Sequence, residues 1–281
     1  MAIIDAQVHI WAADSPQRPW PSAGAGGRTT AVHGASFGAD QLIAAMDGSG
    51  IDAAVLIPPS WEGERTDLVE AAHLAWPERL AFMARLDLAD EPRARAEFAR
   101  IAALPGALGF RFLLGSDIVL DQLPGLDWLW AGIAEAGLSI MAAPRGYFAE
   151  LAQVARAHPD LRITIDHLGA RAYKKGAEAF AGLDRMLELA SLPNVAVKAS
   201  GLPEYSEVPP PHADIGPRVR RVFEAFGPDR LFFGTDLTRQ EGGYPALLAL
   251  FDSFDWLRGE DRRKVMGDAL ADWLRWDRAP R

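Results

Sequence analysis

The chain contains no cysteine in its 281 residues, which excludes disulfides, thiolate nucleophiles and cysteine-ligated metals. It also lacks any run of about 18 apolar residues, so we expect no transmembrane helix and no membrane partner. The first ten residues, MAIIDAQVHI, have no basic region ahead of an apolar stretch and no small-residue cleavage site, unlike a signal peptide. These absences together predict a cytoplasmic protein.

Basic residues are fewer than acidic ones: the chain has 29 Lys and Arg residues and 38 Asp and Glu residues, which gives a formal net charge of −9. Nucleic-acid binding requires a basic footprint, so we expect no nucleic-acid partner. The hydrophobic fraction of 49% is sufficient for one large core. We predict a single domain over residues 1–281, and the sequence leaves a homo-oligomer open.

Short apolar runs alternate with stretches of helical spacing along the chain. The predicted strands are Ile3–Ile10, Ala53–Ile57, Leu80–Leu86, Ala107–Leu113, Leu138–Ala142, Arg162–Ile165, Asn194–Ala199 and Arg230–Gly234. The predicted helical stretches are Ala39–Ser49, Asp67–Ala75, Arg93–Ala103, Leu126–Ala136, Phe148–His158, Ala177–Ser191, Ile215–Ala225 and a region from Tyr244 to Trp276. Such alternation forms parallel βαβ units, and no GxGxxG motif of an open dinucleotide-binding sheet follows the first strand. We therefore predict an α/β fold, a single-domain (β/α)8 TIM barrel.

The two longest connections indicate which end of the barrel carries the active site. Trp11–Gly38, with the phrase SAGAGG, follows strand one, and Gly201–His212, with three consecutive prolines, follows strand seven. Both leave the carboxyl ends of strands, where barrel enzymes place their active sites. We expect the active site at this end.

Strand one carries polar side chains in an alternating pattern. Period-two alternation predicts that Asp5, Gln7 and His9 share the face turned into the barrel. Polar groups there are costly unless they are hydrogen-bonded, so they indicate either a functional site or a buried polar network that closes the barrel.

Two further strands end in polar residues at the same end of the predicted barrel. Strand six ends in Asp166 and His167, and strand eight ends in Asp236. The carboxyl ends of parallel strands converge in a barrel, so we predict that His9, His167 and Asp236 lie close together and form the catalytic group.

Four phrases of the sequence, IDAQVHIW, ITIDHLG, NVAVKASGL and LFFGTD, resemble the amidohydrolase-related family of the amidohydrolase superfamily. The resemblance runs from residue 2 to about residue 275, with the motifs in family order, and is nearest to the lactonase-like branch. That branch includes 2-pyrone-4,6-dicarboxylate lactonase and sugar-lactone hydrolases. The resemblance implies a barrel enzyme of the hydrolase class.

The departures from the family pattern concern the metal site. Metal-dependent members begin with His-x-His, and this chain has Gln7 at the first of these positions. Members often supply a lysine or glutamate from strand four, where this chain has Arg111, and commonly a histidine from strand five, where this chain has none. The family's strand-six histidine and strand-eight aspartate match His167 and Asp236. A binuclear site is thereby excluded, although His9, His167 and Asp236 could ligate a single divalent metal such as zinc. Because glutamine is a poor ligand and a guanidinium opposes a dication, we favour no metal, as in the lactonase just named.

Basic side chains cluster near the predicted ends of several strands. They are Arg85, Arg111, Arg145, Lys198 and Arg239. In an acidic protein such a rim suggests a bound anion, most simply a substrate carboxylate. The alternative is that each pairs with a neighbouring acid such as Asp87; for Arg111, which points into the predicted barrel, we favour the anchor.

Aromatic residues in the loops are candidates for the walls of the pocket. We predict that Trp61, directly after strand two, contacts the substrate, and that Tyr205 reaches in after strand seven. Trp11 and Trp20 are further loop candidates. The tryptophans on helical stretches are assigned to packing.

These observations favour hydrolysis of a small carboxylated lactone or related cyclic ester. Asp236 would be the general base on water, a role that a raised pKa would favour; His9, His167 and Lys198 would stabilise the oxyanion, and Arg111 would anchor the substrate. The alternatives are a metal-dependent decarboxylase of an aromatic acid, a lactone isomerase, and a barrel that binds an acid without catalysis.

Overall fold

Eight parallel strands form one sheet with the strand order β1 to β8, in a computed structural model that describes residues 1–21, 34–118 and 120–277. The strands are β1 Ile4–Val8, β2 Ala53–Leu56, β3 Leu80–Ala84, β4 Ala107–Leu113, β5 Ser139–Ala143, β6 Arg162–Ile165, β7 Val195–Ala199 and β8 Leu231–Phe233. Each strand pairs in parallel with the next along the chain. The predicted (β/α)8 barrel is confirmed.

Helices fill the connections between the strands. They are α1 Ala39–Asp47, α2 Asp67–Ala75, α3 Glu91–Ala102, α4 Asp127–Glu135, α5 Phe148–Ala157, α6 Gly176–Ala179, α7 Leu183–Glu188, α8 Gly216–Phe226, α9 Gly243–Asp252, α10 Gly259–Arg263 and α11 Ala269–Leu274. Within the described part of the chain, none of the helices is both long and apolar enough to cross a membrane.

The ends of α3 show how the sequence sets a boundary. Asp90 precedes the helix in an extended conformation, and its carboxylate accepts a hydrogen bond from the Arg93 backbone N–H. Pro92 occupies the first turn, where no intrahelical donor is needed. Ala94 and Ile101 are the buried residues of the helix, and they lie seven positions apart on one face.

Two predicted helices are broken in the structure. The stretch predicted at 177–191 divides into α6, α7 and a 3-10 turn, Leu189–Ser191, and a Cβ on Gly182 at the break would lie 2.7 Å from Phe148 Cε2. The C-terminal region divides into α9, α10, a π-helical turn over Lys264–Asp268, and α11. The phrase SAGAGG lies outside the described residues.

The interior of the barrel is packed by a small cluster that takes side chains from most of the strands. It includes Ile4, Ala6, Val55, Met83, Met141, Ala196 and Phe232, together with Leu270 and Leu274 of α11. A larger cluster packs between the strands and the outer helices. Because α11 closes the amino-terminal end, the carboxyl ends of the strands remain for the site.

The polar face of β1 is not the simple alternation that the sequence predicts. Ile4 and Ala6 lie in the barrel interior, and the pairing of β1 with β2 is irregular between Asp5 and Val8. Asp5 accepts hydrogen bonds from the Gln7 N–H at 3.0 Å and the Thr235 N–H at 2.8 Å, and from the Thr235 hydroxyl. The prediction that Asp5 shares the face of Gln7 and His9 was wrong, because the irregularity shifts the alternation. Asp5 instead ties β1 to the end of β8.

Burial raises the pKa of Asp5 to about 6, although its hydrogen bonds with Thr235 and Gln7 oppose the rise. Because the pKa of Asp5 is higher in the folded than in the unfolded chain, ionisation of this carboxyl group destabilises the fold. The free energy of unfolding therefore decreases as the pH rises from the pKa of the unfolded chain through about 6. Asp5→Asn keeps an acceptor for both backbone N–H groups and carries no charge. We expect the free energy of unfolding of the variant, measured in urea, to increase by about 2 kcal/mol relative to that of the wild type between pH 4.5 and pH 7.5. A difference that did not change with pH would contradict this.

Candidate active site

Polar and aromatic side chains from the carboxyl ends of the strands surround a cavity at the open end of the barrel. Its lining includes Gln7, His9, Trp61, Arg111, Arg145, Asp166, His167, Tyr173, Tyr205, Asp236 and Arg239. These residues come from the ends of seven of the strands and from the loops that follow them. The convergence predicted for His9, His167 and Asp236 is present in the structure.

Three of these residues sit where the chain leaves a strand in a left-handed conformation. The φ angles are +50° at Arg145, +52° at His167 and +51° at Asp236. Such angles are uncommon for residues other than glycine and are often found at functional sites. All three side chains line the cavity.

His9 and Asp236 form a close pair in the cavity. His9 Nδ1 lies 2.7 Å from the Ile57 carbonyl oxygen, which can only accept, so Nδ1 carries a proton. His9 Nε2 lies 3.0 Å from Asp236 Oδ1. A hydrogen bond at that distance requires one proton between the two atoms, and the pKa of Asp236 is held well below its usual range, so this proton is on His9 Nε2 and the pair is an imidazolium and a carboxylate.

His167 is held in the opposite state. Its Nδ1 lies 2.9 Å from the Ser200 hydroxyl and 3.3 Å from the Ser200 carbonyl oxygen, so Nδ1 is the protonated nitrogen. Burial lowers the pKa of His167 to about 4, although Asp236 and Asp166 oppose the shift. At neutral pH the ring is therefore uncharged, with an unprotonated Nε2, which lies 3.8 Å from Asp236 Oδ2.

Gln7 lies between these groups, and Lys198 fixes its orientation. Lys198 Nζ lies 2.5 Å from Gln7 Oε1. An ammonium group can only donate, so the amide oxygen is turned to Lys198 and the NH2 group is turned to the other side. There, Gln7 Nε2 lies 3.4 Å from His167 Nε2 and 3.5 Å from Asp236 Oδ1.

Asp166 joins the basic residues of the site. Its Oδ2 lies 2.9 Å from Arg111 Nε, and its Oδ1 lies 2.7 Å from Lys198 Nζ. Burial alone would raise the pKa of Asp166, but the charges of Lys198 and Arg111 hold it below its usual range. Sequence reasoning assigned Asp166 no role of its own. The sequence did contain a signal for this pairing: Asp166 follows the end of β6, and the ends of β4 and β7 carry Arg111 and Lys198.

The pKa of Asp236 is not raised, although a raised pKa would favour the role of general base. Burial alone would raise it, but the hydrogen bond from His9 and nearby positive charges, including Arg239, hold it well below its usual range. In the folded protein the carboxylate is therefore ionised throughout the neutral range.

The predicted substrate-binding residues divide into two groups. Gln7, Trp61, Arg111, Arg145 and Tyr205 line the cavity. Lys198 is fully buried beneath Gln7 and does not form part of the lining, because the barrel interior around it is closed. Arg85 is also outside the lining: it is buried and pairs with Asp117 at 3.1 Å, which corrects its placement at the substrate.

The basic residues of the lining differ in their partners. Arg111 pairs with Asp166, and Arg239 Nη1 lies 3.0 Å from Glu204. Arg145 is exposed at the rim, and no hydrogen bond or ion pair joins it to another residue within 1–21, 34–118 or 120–277. Arg145 is thus the rim cation that a substrate anion can reach without displacing an internal partner.

The aromatic wall is formed in layers. Trp61 lines the cavity. Its ring centroid lies 5.6 Å from that of Trp11, which contacts it edge-on, and 6.0 Å from that of Trp20. The predicted wall positions of Trp11 and Trp20 are therefore supporting positions behind Trp61. Tyr205 closes another side, 6.4 Å from the His167 ring.

A single metal would have to be ligated by His9, His167 and Asp236. The residues that the structure describes include no group of three His, Cys, Asp or Glu side chains arranged to hold a metal ion. At Gln7, the NH2 group, whose orientation is fixed by Lys198, faces both His167 and Asp236. An N–H donor at that point disfavours a cation beside these two residues.

Comparisons with known proteins agree with this architecture. The family described as Amidohydrolase matches residues 4–275. The L-fucono-1,5-lactonase of Burkholderia ambifaria is 31% identical over 297 residues, covering 98% of this chain and 96% of the relative.

Solved structures share the fold at lower identity. A probable 2-pyrone-4,6-dicarboxylic acid hydrolase from Acinetobacter baumannii, with citric acid bound, has a TM-score of 0.75 at 18% identity over 98% of this chain and all of its own. An amidohydrolase from Burkholderia multivorans with bound zinc has a TM-score of 0.75 at 21% identity, covering 98% of this chain and 99% of its own. With the family match over nearly the whole sequence and the polar cluster at the carboxyl ends of the strands, the chain belongs to the amidohydrolase family and is a lactonase-like hydrolase.

Proposed function

We propose that the protein hydrolyses a small lactone or related cyclic ester, with Asp236 as the general base on water. The observation that carries the proposal is the cluster of Asp236, His9, His167 and Gln7 around one cavity, in a chain similar to a lactonase. Hydrolysis of an activated ring ester needs a positioned water and oxyanion stabilisation, but no covalent nucleophile.

The first step is attack of water on the lactone carbonyl carbon. Asp236 accepts a proton from the water while the new C–O bond forms and the carbonyl oxygen becomes an oxyanion. A carboxylate with a low pKa is a weak base at rest. The contact with His9 at 3.0 Å is the main hydrogen bond that lowers this pKa, so a water that weakens the contact makes Asp236 more basic.

The second step opens the ring. The tetrahedral intermediate collapses, the bond between the carbonyl carbon and the ring oxygen breaks, and the proton held by Asp236 passes to the departing oxygen. The product is the hydroxy acid, and the carboxylate of Asp236 is regenerated. The imidazolium of His9 faces this carboxylate and stabilises it when it is regenerated.

The lining favours an anionic group on the substrate. Three arginine side chains, those of Arg111, Arg145 and Arg239, line the cavity together with two carboxylates, those of Asp166 and Asp236. A substrate carboxylate would lie between Arg145, which is unpaired among the described residues, and the outer nitrogens of Arg111. Trp61 and Tyr205 would pack against the ring.

A neutral sugar lactone is the second candidate. It is favoured by the similarity to an L-fucono-1,5-lactonase and by the pairing of Arg111 with Asp166, which already offsets its charge. The purified protein should be assayed on L-fucono-1,5-lactone and on 2-pyrone-4,6-dicarboxylate, with acid release followed by a pH indicator. Turnover of the dicarboxylate alone supports the binding of a substrate carboxylate by the arginines. Turnover of the sugar lactone alone supports the second candidate. If no lactone is hydrolysed, the proposed function is contradicted.

The same assay separates the remaining alternatives. An isomerase would convert its lactone without incorporating ¹⁸O from labelled water into a product acid. A decarboxylase would release carbon dioxide from an aromatic acid and, in this family, would need the metal that Gln7 opposes. A barrel that only binds an acid is disfavoured by the membership in a hydrolase family.

The arrangement at Gln7 predicts the metal content. Protein purified without added metal should contain well below one equivalent of zinc or manganese, and prolonged chelation should leave its turnover unchanged. Elemental analysis and a chelator time course measure both quantities. Stoichiometric zinc, with activity lost to the chelator and restored by zinc, would instead identify His9, His167 and Asp236 as ligands.

A further inference from the structure

The side-chain amide of Gln7 is held by Lys198, a residue that does not line the cavity. Lys198 is fully buried, and its ammonium lies 2.7 Å from Asp166 Oδ1 and 2.5 Å from Gln7 Oε1. Both neighbours are acceptors, as an ammonium group requires. Rotation of the Gln7 amide by half a turn would place its NH2 group against this ammonium, so the observed orientation is enforced.

The NH2 group of Gln7 has only long contacts on the cavity side. Its distances of 3.4 Å to His167 Nε2 and 3.5 Å to Asp236 Oδ1 exceed the usual range of about 2.7–3.2 Å for an N–H donor. Gln7 also lines the cavity. The site therefore holds an oriented donor whose existing contacts are weak, and a closer acceptor would strengthen its hydrogen bonding.

The three groups to which the sequence assigned oxyanion stabilisation are less suited to donate to an oxyanion. His167 carries its proton on Nδ1, where it faces Ser200, and presents an unprotonated Nε2 to the cavity. The Nε2 proton of His9 is directed at Asp236. Lys198 lies beneath Gln7 and outside the lining. The roles that the sequence suggested for His167 and Lys198 as direct oxyanion donors do not fit this geometry.

We propose that the side-chain amide of Gln7 is the oxyanion donor of lactone hydrolysis, and that Lys198 is a positioning residue that keeps this amide turned toward the substrate. The inference rests on the proposed function. As water attacks and its proton passes to Asp236, the electron pair of the carbonyl bond moves onto the carbonyl oxygen, which the Gln7 N–H groups receive. The buried positive charge of Lys198 behind the amide increases the polarity of these donors.

The first test removes the donor. Gln7→Leu should lower kcat on the lactone that the wild type opens by about 100- to 1,000-fold, the usual effect of losing one oxyanion donor, with KM changed less than about threefold. Affinity for a cyclic phosphonate of the same ring size should fall by a similar factor, because it mimics the tetrahedral oxyanion. Affinity for the corresponding lactam should stay the same. Met141→Leu is the matched control: Met141 Sδ lies 3.1 Å from Lys198 Nζ, but Met141 does not line the cavity, and Gln7 and Asp166 still accept from the ammonium, so kcat should be unchanged.

The second test reads the orientation of the amide without any substrate. In the wild-type protein, ¹⁵N NMR of the histidine rings should show His167 protonated at Nδ1 and unprotonated at Nε2. In Lys198→Met the amide is released and its oxygen can turn to His167, so the proton should move to Nε2. Loss of a merely structural lysine would not exchange the tautomer of a histidine that it does not touch. The Lys198→Met substitution should lower kcat at least about tenfold in the wild-type background and less than about threefold in the Gln7→Leu background.

The outcomes separate this inference from the proposed function. If the wild type hydrolyses a lactone and Gln7→Leu retains more than a third of its kcat, Gln7 is not the donor, while the lactonase function stands. If His167 of the wild type is protonated at Nε2, the deduced amide orientation is wrong. If no lactone is hydrolysed, the proposed function and the donor role fail together. Should Lys198→Met fail to fold, the kinetics of Gln7→Leu and the wild-type tautomer decide.

Discussion

Replacing Asp236 by asparagine should lower kcat by about two to four orders of magnitude, the usual worth of a general base. The amide keeps the size of the side chain and can still accept a hydrogen bond from His9 Nε2, which lies 3.0 Å from Asp236 Oδ1. It cannot take a proton from water. We therefore expect KM and thermal stability to change little while turnover is lost.

The matched control is Asp5→Asn. Asp5 is also a buried carboxylate beside the end of β8, but it does not line the cavity, and it accepts hydrogen bonds from the backbone N–H groups of Gln7 and Thr235. We expect wild-type turnover from this variant. If Asp236→Asn keeps more than about a tenth of the wild-type kcat, the base is another group. If it fails to fold while Asp5→Asn folds, Asp236 is a structural carboxylate.

The pH dependence follows from the direction of the pKa shifts. The pKa of Asp236 is held well below its usual range by the hydrogen bond from His9 and nearby charges, against the effect of burial. Its ionisation therefore should not appear in the profile of kcat/KM between pH 5 and pH 8. Burial lowers the pKa of His167 to about 4, so activity should fall below about pH 5 as this ring gains a positive charge 3.8 Å from Asp236 and makes that carboxylate a weaker base.

The topology was predictable from the sequence because it depends on repeated local patterns. The strand limits Ala107–Leu113 and Arg162–Ile165 and the helix Asp67–Ala75 are those of the structure. The order of parallel strands then brought His9, His167 and Asp236 together without any knowledge of side-chain geometry. These residues end or follow strands, and the ends of parallel strands converge in any barrel.

The internal pairing of the site was not predictable in this way. The irregularity of β1 between Asp5 and Val8 reverses the alternation on which the face of Asp5 was assigned. The pairing of Asp166 with both Arg111 and Lys198 depends on distances across the barrel, which sequence spacing does not contain. The depressed pKa of Asp236 likewise depends on the hydrogen bond from His9, which is distant in sequence.

Replacing Arg111 by methionine should raise KM for a carboxylated lactone by about 10- to 100-fold, since a hydrogen bond to a charged group contributes about 1.5–3 kcal/mol. The variant should also lose about 2 kcal/mol of unfolding free energy, because Arg111 pairs with the fully buried carboxylate of Asp166 at 2.9 Å. Lys198 still pairs with Asp166 and limits this loss. Urea unfolding and steady-state kinetics measure the two effects separately.

Arg145→Met is the matched comparison that distinguishes anchoring from internal pairing. Arg145 lines the same cavity but is exposed, without an ion pair among the described residues, so its loss should raise KM without changing unfolding. Neither variant should change KM for a neutral lactone by more than about twofold if both arginines bind a substrate carboxylate. An Arg111→Met variant that is destabilised but keeps its KM would make Arg111 a purely structural partner of Asp166. Equal increases in KM for neutral and carboxylated lactones would show that the arginines shape the cavity and do not bind an anion.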